Sequence, residues 1–100
     1  MTNEMVRVVK LTFQPEHADG FIDIFDQKKE RIRAMEGCLS LRLIRDRNEP
    51  TIFMTYSVWE GPEHLQNYRR SEFFKDLWTT VTPMFSDKPQ AWSLDVLSEL

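Results

Sequence analysis

Four short extended runs and two amphipathic helical runs follow one another in the order strand–helix–strand–strand–helix–strand within 100 residues. That order leaves few ways to pack. Residues 6–13 are rich in β-branched and aromatic side chains and read as a strand. Gln14 and Pro15 stop it, and Pro15 suits the first turn of a helix, where its missing N–H has no partner in any case. Phe21, Ile24, Phe25, Ile32 and Met35 then form one apolar stripe, with Glu16 and Asp19 near the positive end of the helix and Gly37 as its stop. Residues 39–44 alternate as a second strand, 45–50 make a polar hairpin loop and 51–59 a third strand that ends on Trp59. Gly61 and Pro62 open a second helical run carrying Leu65, Tyr68, Phe73 or Phe74, Leu77, Trp78 and Val81. Ser71 caps a second segment within it, so a broken helix pair ending at Pro83 is expected rather than one rod. Residues 92–97 form the last strand.

The expected fold is α+β: a ferredoxin-like βαββαβ domain with a four-stranded antiparallel sheet, one domain over residues 1–100 with its core at about 5–97. Two helices can cover only one face of such a sheet. The other face, in water, should be mostly polar. Here it is not: Ile52, Met54, Tyr56 and Val58 point one way and Phe53 and Trp59 the other, while Val6 and Val8 oppose Val9, Leu11 and Phe13. Apolar side chains on both faces predict a homodimer packed through the open sheet face, which would close a dimeric α/β barrel.

Composition removes several function classes. The chain is 41% hydrophobic and 29% charged, values of a folded domain rather than a disordered tail. Its 13 basic residues are outnumbered by 16 acidic ones and form no block, so no nucleic-acid partner is expected. No Lys, Arg or Gly stands on the third strand, where an RNA-binding sheet of this topology would carry them among its stacking aromatics. Cys38, the only cysteine, reads as a small buried residue, and with only two histidines no metal cluster is expected. No apolar run is long enough to span a bilayer, and residues 1–5 are a short polar leader without a signal pattern, so the expected location is the cytoplasm with no membrane partner.

The stretch from Trp59 through Glu60 and Tyr68 to Ser71 and Phe74 carries a closer likeness. A third strand ending in Trp, a polar or acidic helix start, an aromatic or His about nine residues on and a Ser-x-x-Phe segment make the chain similar to the antibiotic biosynthesis monooxygenase superfamily of dimeric α/β barrels. The resemblance spans nearly the whole chain and implies a homodimer whose pocket lies between helices and sheet. It also implies a cofactor-independent oxygenation of a small aromatic or quinol-like molecule. Haem-degrading members of the superfamily carry Asn, Trp and a His ligand where this chain has Val9, Tyr68 and Trp78. Val supplies no amide and Trp cannot ligate iron, so the resemblance points away from haem degradation. Quinol-oxygenase members often have His where Tyr68 stands. The missing imidazole favours the alternative of a non-catalytic small-molecule-binding or stress-response domain of the same fold.

Oxygenation without a cofactor asks for apolar walls, a hydrogen-bonding group and a donor for the substrate anion. With the resemblance, Tyr68 is the expected catalytic hydrogen-bonding group. Trp78, Phe74, Trp59 and Met54 are candidate walls, and Tyr56, His64 and Arg42 are candidate polar contacts. Each also has a structural role open to it. Trp59 can plug the strand-to-helix corner, Phe74 and Trp78 can be core, and His64 can sit in solvent near the helix start. Arg42 either faces the dimer interface or pairs with an acid such as Asp95.

Overall fold

The structure, a computed structural model, describes residues 3–100; residues 1 and 2 of the polar leader lie outside them. Strand β1 spans Met5–Thr12, helix α1 Ala18–Arg33, β2 Cys38–Arg45, β3 Ile52–Trp59, α2 Pro62–Arg70, α3 Glu72–Val81 and β4 Gln90–Asp95. The strands form one sheet in the order β2-β3-β1-β4, and every neighbouring pair is antiparallel. This is the ferredoxin-like arrangement that the order of elements predicts.

Three boundaries differ from the sequence reading by more than one residue, each for a local reason. Pro15–His17 form a single 3-10 turn before α1 begins, closed by the His17 N–H donating to the Gln14 carbonyl at 2.9 Å. Helix α1 ends at Arg33, ahead of Gly37, because the chain tightens: Met35 N–H donates to Ile32 O and Cys38 N–H to Met35 O, both three-residue bonds. Gly37 instead turns the chain into β2 with φ of 84°, a conformation that favours glycine. Strand β4 starts two residues earlier than expected and ends at Asp95, because Asp95 lies opposite Met5 where β1 begins, leaving no partner for the residues beyond.

The alternation along each strand separates two faces. Val9, Leu11, Phe53 and Leu41 face the helices and join the main core with Phe13, Phe21, Phe25, Ile32 and Val81. Phe13 stacks on Phe21 at 4.3 Å between centroids, and both meet Phe53 edge-on or near it, at 5.6 and 5.4 Å. A second cluster of Met5, Cys38, Trp59 and Leu65 fills the corner where β3 runs into α2. The buried Cys38 thiol belongs to it, as its residue type suggests, and burial pushes its pKa up.

Among the described residues, the opposite face bears no helix. There Val8 lies between Tyr56 and Trp92, Val6 between Val58 and Leu94, and Ile44 beside Met54. Ile44, Trp92 and Leu94 are each more than two-fifths exposed. Arg42 sits on this face across from Tyr56, whereas Asp95 sits on the helix-facing side opposite Met5.

Candidate active site

The helix-facing side of the sheet and the helices do not close on each other completely. Between them lies a cavity of about 390 Å³, near the lower end of the range of roughly 300–1,000 Å³ common for small-molecule sites. Val9 and Leu11 of β1 and Thr55 and Ser57 of β3 form its floor, and Phe21, Phe25 and Ile32 of α1 close one wall.

The opposite wall depends on the break between α2 and α3. Ser71 has extended backbone angles (φ −71°, ψ 151°), and its hydroxyl accepts the Phe74 N–H at 3.1 Å while donating to the Tyr68 carbonyl at 2.6 Å. One side chain thus ends α2 and caps α3. The redirected chain brings Tyr68 from one helix and Phe74 and Trp78 from the next into a continuous row of rings. Trp59 stacks on Tyr68 at 5.4 Å and 22°, Tyr68 meets Phe74 edge-on at 5.0 Å, and Phe74 leans on Trp78 at 5.7 Å. All four line the cavity. These are the residues in which the sequence placed the catalytic group and three of its walls.

Trp59 serves both as a corner plug and as a wall. It is 1% exposed, and its indole N–H donates to Ser57 Oγ at 2.9 Å. Ser57 in turn donates to the Arg7 carbonyl at 3.4 Å. A buried indole with its only donor satisfied is held in one orientation, which fixes the surface that Tyr68 stacks on.

Burial raises the pKa of Tyr68 well above the ordinary tyrosine value, with the nearby Cys38 adding to the shift. Its phenol is therefore protonated throughout the neutral range. It can donate a hydrogen bond to an anion, and it is no base.

The remaining candidates lie elsewhere. Met54, Tyr56 and Arg42 do not line the cavity, because the two-residue period of their strands turns them to the uncovered sheet face. His64 is also outside it. Its side chain is 19% exposed, rests against Gly37, and has Nε2 at 3.7 Å from Glu60 and 3.8 Å from Glu63, with Nδ1 buried and unpartnered.

Two charged lining residues escaped the sequence reading: Arg7 of β1 and Arg69 of α2. Arg7 shares its strand parity with Val9 and Leu11, so a cation on the inward face was legible from alternation. Arg69 follows Leu65 by four residues on the same helix, which places both on one side. Arg7 donates through Nη1 to Ser93 Oγ at 2.9 Å. Its pKa is lowered by burial first and by the charge of Arg69 second.

Among the described residues, no three His, Cys, Asp or Glu gather as a metal site, and no helix is long and apolar enough to cross a membrane. The chain resembles several solved structures. A Nitrosomonas europaea protein, provisionally assigned as an antibiotic biosynthesis monooxygenase, superposes with a TM-score of 0.90 at 12% identity, covering 97% of this chain and 93% of that one. A conserved protein of Methanosarcina mazei superposes at 0.87 with 18% identity, over 93% of this chain and 92% of its own. A Pseudomonas aeruginosa protein superposes at 0.86 with 20% identity, over 98% of both chains. At such identities these likenesses speak to the fold alone. No curated protein matches the sequence. The family model described as "Antibiotic biosynthesis monooxygenase" matches residues 5–78, from the first residue of β1 to Trp78 on the cavity wall. The chain belongs to the antibiotic biosynthesis monooxygenase family.

Proposed function

We propose that the protein is a cofactor-independent monooxygenase acting on a small aromatic or quinol-like molecule held in this cavity. The observation that carries the reading is the row of four aromatic rings around an apolar space, with the neutral Tyr68 phenol among them. A flat aromatic substrate gains ring contacts on such walls. The lining is mostly apolar, so one hydrogen bond from Tyr68 stabilises a substrate oxyanion more than it would in bulk solvent.

The chemistry balances with dioxygen as the oxidant. A bound phenol or hydroquinone loses a proton to solvent. The anion passes one electron to O2, giving an aryloxyl radical and superoxide, which combine at a ring carbon that bears hydrogen. Protonation of the peroxide, loss of that carbon's proton and O–O cleavage leave a new carbonyl and release one water. A phenol and O2 thus become a quinone and water. Tyr68 donates to the oxygen that carries the charge, while Trp59, Phe74 and Trp78 hold the ring. We also propose that the protein acts as a homodimer through the uncovered sheet face. A second copy offers the same apolar residues, and apolar surface of that kind is stabilised by self-association.

One observation favours the second reading, a binding or stress-response domain without catalysis: among the described residues, no carboxylate and no imidazole lines the cavity. Oxygen uptake decides between the two. Metal-stripped protein is measured against a panel of aromatic hydroquinones beside the Tyr68→Phe variant. Uptake above the uncatalysed rate, lowered in the variant, supports the oxygenase. Unchanged turnover in Tyr68→Phe removes Tyr68 from the mechanism, and no uptake across the panel favours the binding domain.

A further inference from the structure

The cavity is apolar along its walls but not neutral in charge. Among the described residues, its only ionisable lining groups are Arg7, Arg69 and Tyr68, and Tyr68 is neutral there. Two guanidinium groups near enough to repel each other therefore border a space without a single carboxylate. Among the described residues, neither forms an ion pair with an Asp or Glu. Arg7 is held by Ser93 through one N–H at 2.9 Å, which leaves most of its five donors free. It is also partly desolvated, and Arg69 makes its charge costlier still. Two like charges left uncompensated beside an apolar chamber cost stability unless something negative joins them.

We infer that Arg7 and Arg69 form an anion-recognition subsite at the edge of the cavity, and that the ligand is an aromatic molecule carrying a negative group, with its ring against Trp59, Phe74 and Trp78. The inference rests on the cavity being the ligand site and names the class of ligand it takes. It also bears on the missing base. A substrate that arrives already ionised needs no carboxylate or imidazole in the pocket to remove its proton. Guanidinium forks fit a planar carboxylate in bidentate fashion and equally reach a phenolate or enolate oxygen. The shared chemistry is the anion; its source is either a carboxylate substituent or an acidic ring hydroxyl.

Isothermal titration with purified protein tests this. The probes are 2-naphthoate, its neutral isostere 2-naphthamide, and 2-hydroxy-1,4-naphthoquinone, which is anionic through its enol and has no carboxylate. The variants are Arg69→Gln, at an exposed site where folding is not at stake, and Arg7→Gln, with circular dichroism to verify its fold. Both anions, or one of them, should bind more tightly than the amide. Arg69→Gln should weaken the anion about tenfold while leaving the amide unchanged. Preference for naphthoate over the hydroxyquinone assigns a carboxylate substituent, and the reverse assigns an ionised ring hydroxyl. Equal binding of amide and anions, no binding of any probe, or an anion affinity untouched by Arg69→Gln and folded Arg7→Gln would overturn the subsite. The oxygenase reading fails separately: anions can bind through the arginines while no hydroquinone drives oxygen uptake, and uptake on neutral hydroquinones can persist when the arginines prove irrelevant.

Discussion

Gly37 holds together two parts of the chain that meet only in the folded protein, and Gly37→Ala measures how tightly. Its backbone lies at φ 84°, and its carbonyl accepts the Glu60 N–H at 2.8 Å, tying the turn before β2 to the end of β3. A methyl group added there would overlap the His64 side chain from Cβ outward, meeting Cβ and Cγ as well as Cδ2, the last at 2.7 Å. Two costs then add. Placing alanine at positive φ costs about 1–2 kcal/mol, partly offset because alanine stiffens the unfolded chain by about 0.4–1 kcal/mol, for a net of roughly 1. Forcing the mostly buried His64 ring aside is overpacking, worth about 2 kcal/mol. The sum, about 3 kcal/mol, lowers the melting temperature of a domain this size by on the order of 15 °C. In a His64→Gly background, which removes the His64 Cβ as well as the ring, the overlap is gone, and the same glycine substitution should cost only about 1 kcal/mol. Urea unfolding of the four proteins at one protomer concentration gives the coupling, expected near 2 kcal/mol. Equal penalties in both backgrounds would refute the steric account and leave backbone conformation as the whole effect.

Other consequences follow from single contacts. Ser71→Ala removes the cap that Phe74 N–H uses and should cost about 1 kcal/mol, while Ser71→Gly should cost less; chemical denaturation separates them. Tyr68 has its folded pKa raised above its ordinary value of 10.0, so its contribution is complete below about pH 10 and is lost as pH climbs toward the folded value. Through that window the wild type should lose stability faster than Tyr68→Phe, by at most about 1.4 kcal/mol per pH unit. Melting curves from pH 9 to 11 with the same slope for both proteins would argue against a buried phenol. Leu94→Glu sets a carboxylate on the uncovered sheet face and should convert a dimer to monomers in light scattering at micromolar concentration. A wild type that is already monomeric would end the dimer proposal.

Periodicity made most of the fold legible, and the same periodicity explains the errors at the site. The alternation of Phe53 and Trp59 against Ile52, Met54, Tyr56 and Val58 already divided β3 into two faces, as the sheet register bears out. Placing Met54 and Tyr56 in the pocket followed residue type where parity pointed the other way. Parity also put Arg7 with Val9 and Leu11, so the inward cation was readable and overlooked. His64 is different. Its burial comes from Gly37, far off in sequence, whose missing side chain leaves room for the ring, and no local pattern carries that contact. The last strand slipped for a related reason, since its end is set by where β1 begins.

The strand order also governs how this chain must be made. β1 is made before the other three strands of its sheet and lies in the middle of it, with β3 on one side and β4 on the other. Lys10 pairs with Gln90 and Met5 with Asp95. During synthesis, one edge of an apolar strand therefore stays without its partner until residues 90–95 have emerged. Closing a contact over that separation is slow compared with local helix formation. An unpaired strand edge in the meantime is a template for pairing with other chains. The period of greatest vulnerability to aggregation thus falls before the chain has reached β4, when the ring-lined wall exists in sequence but the sheet that faces it still lacks the edge strand that covers β1.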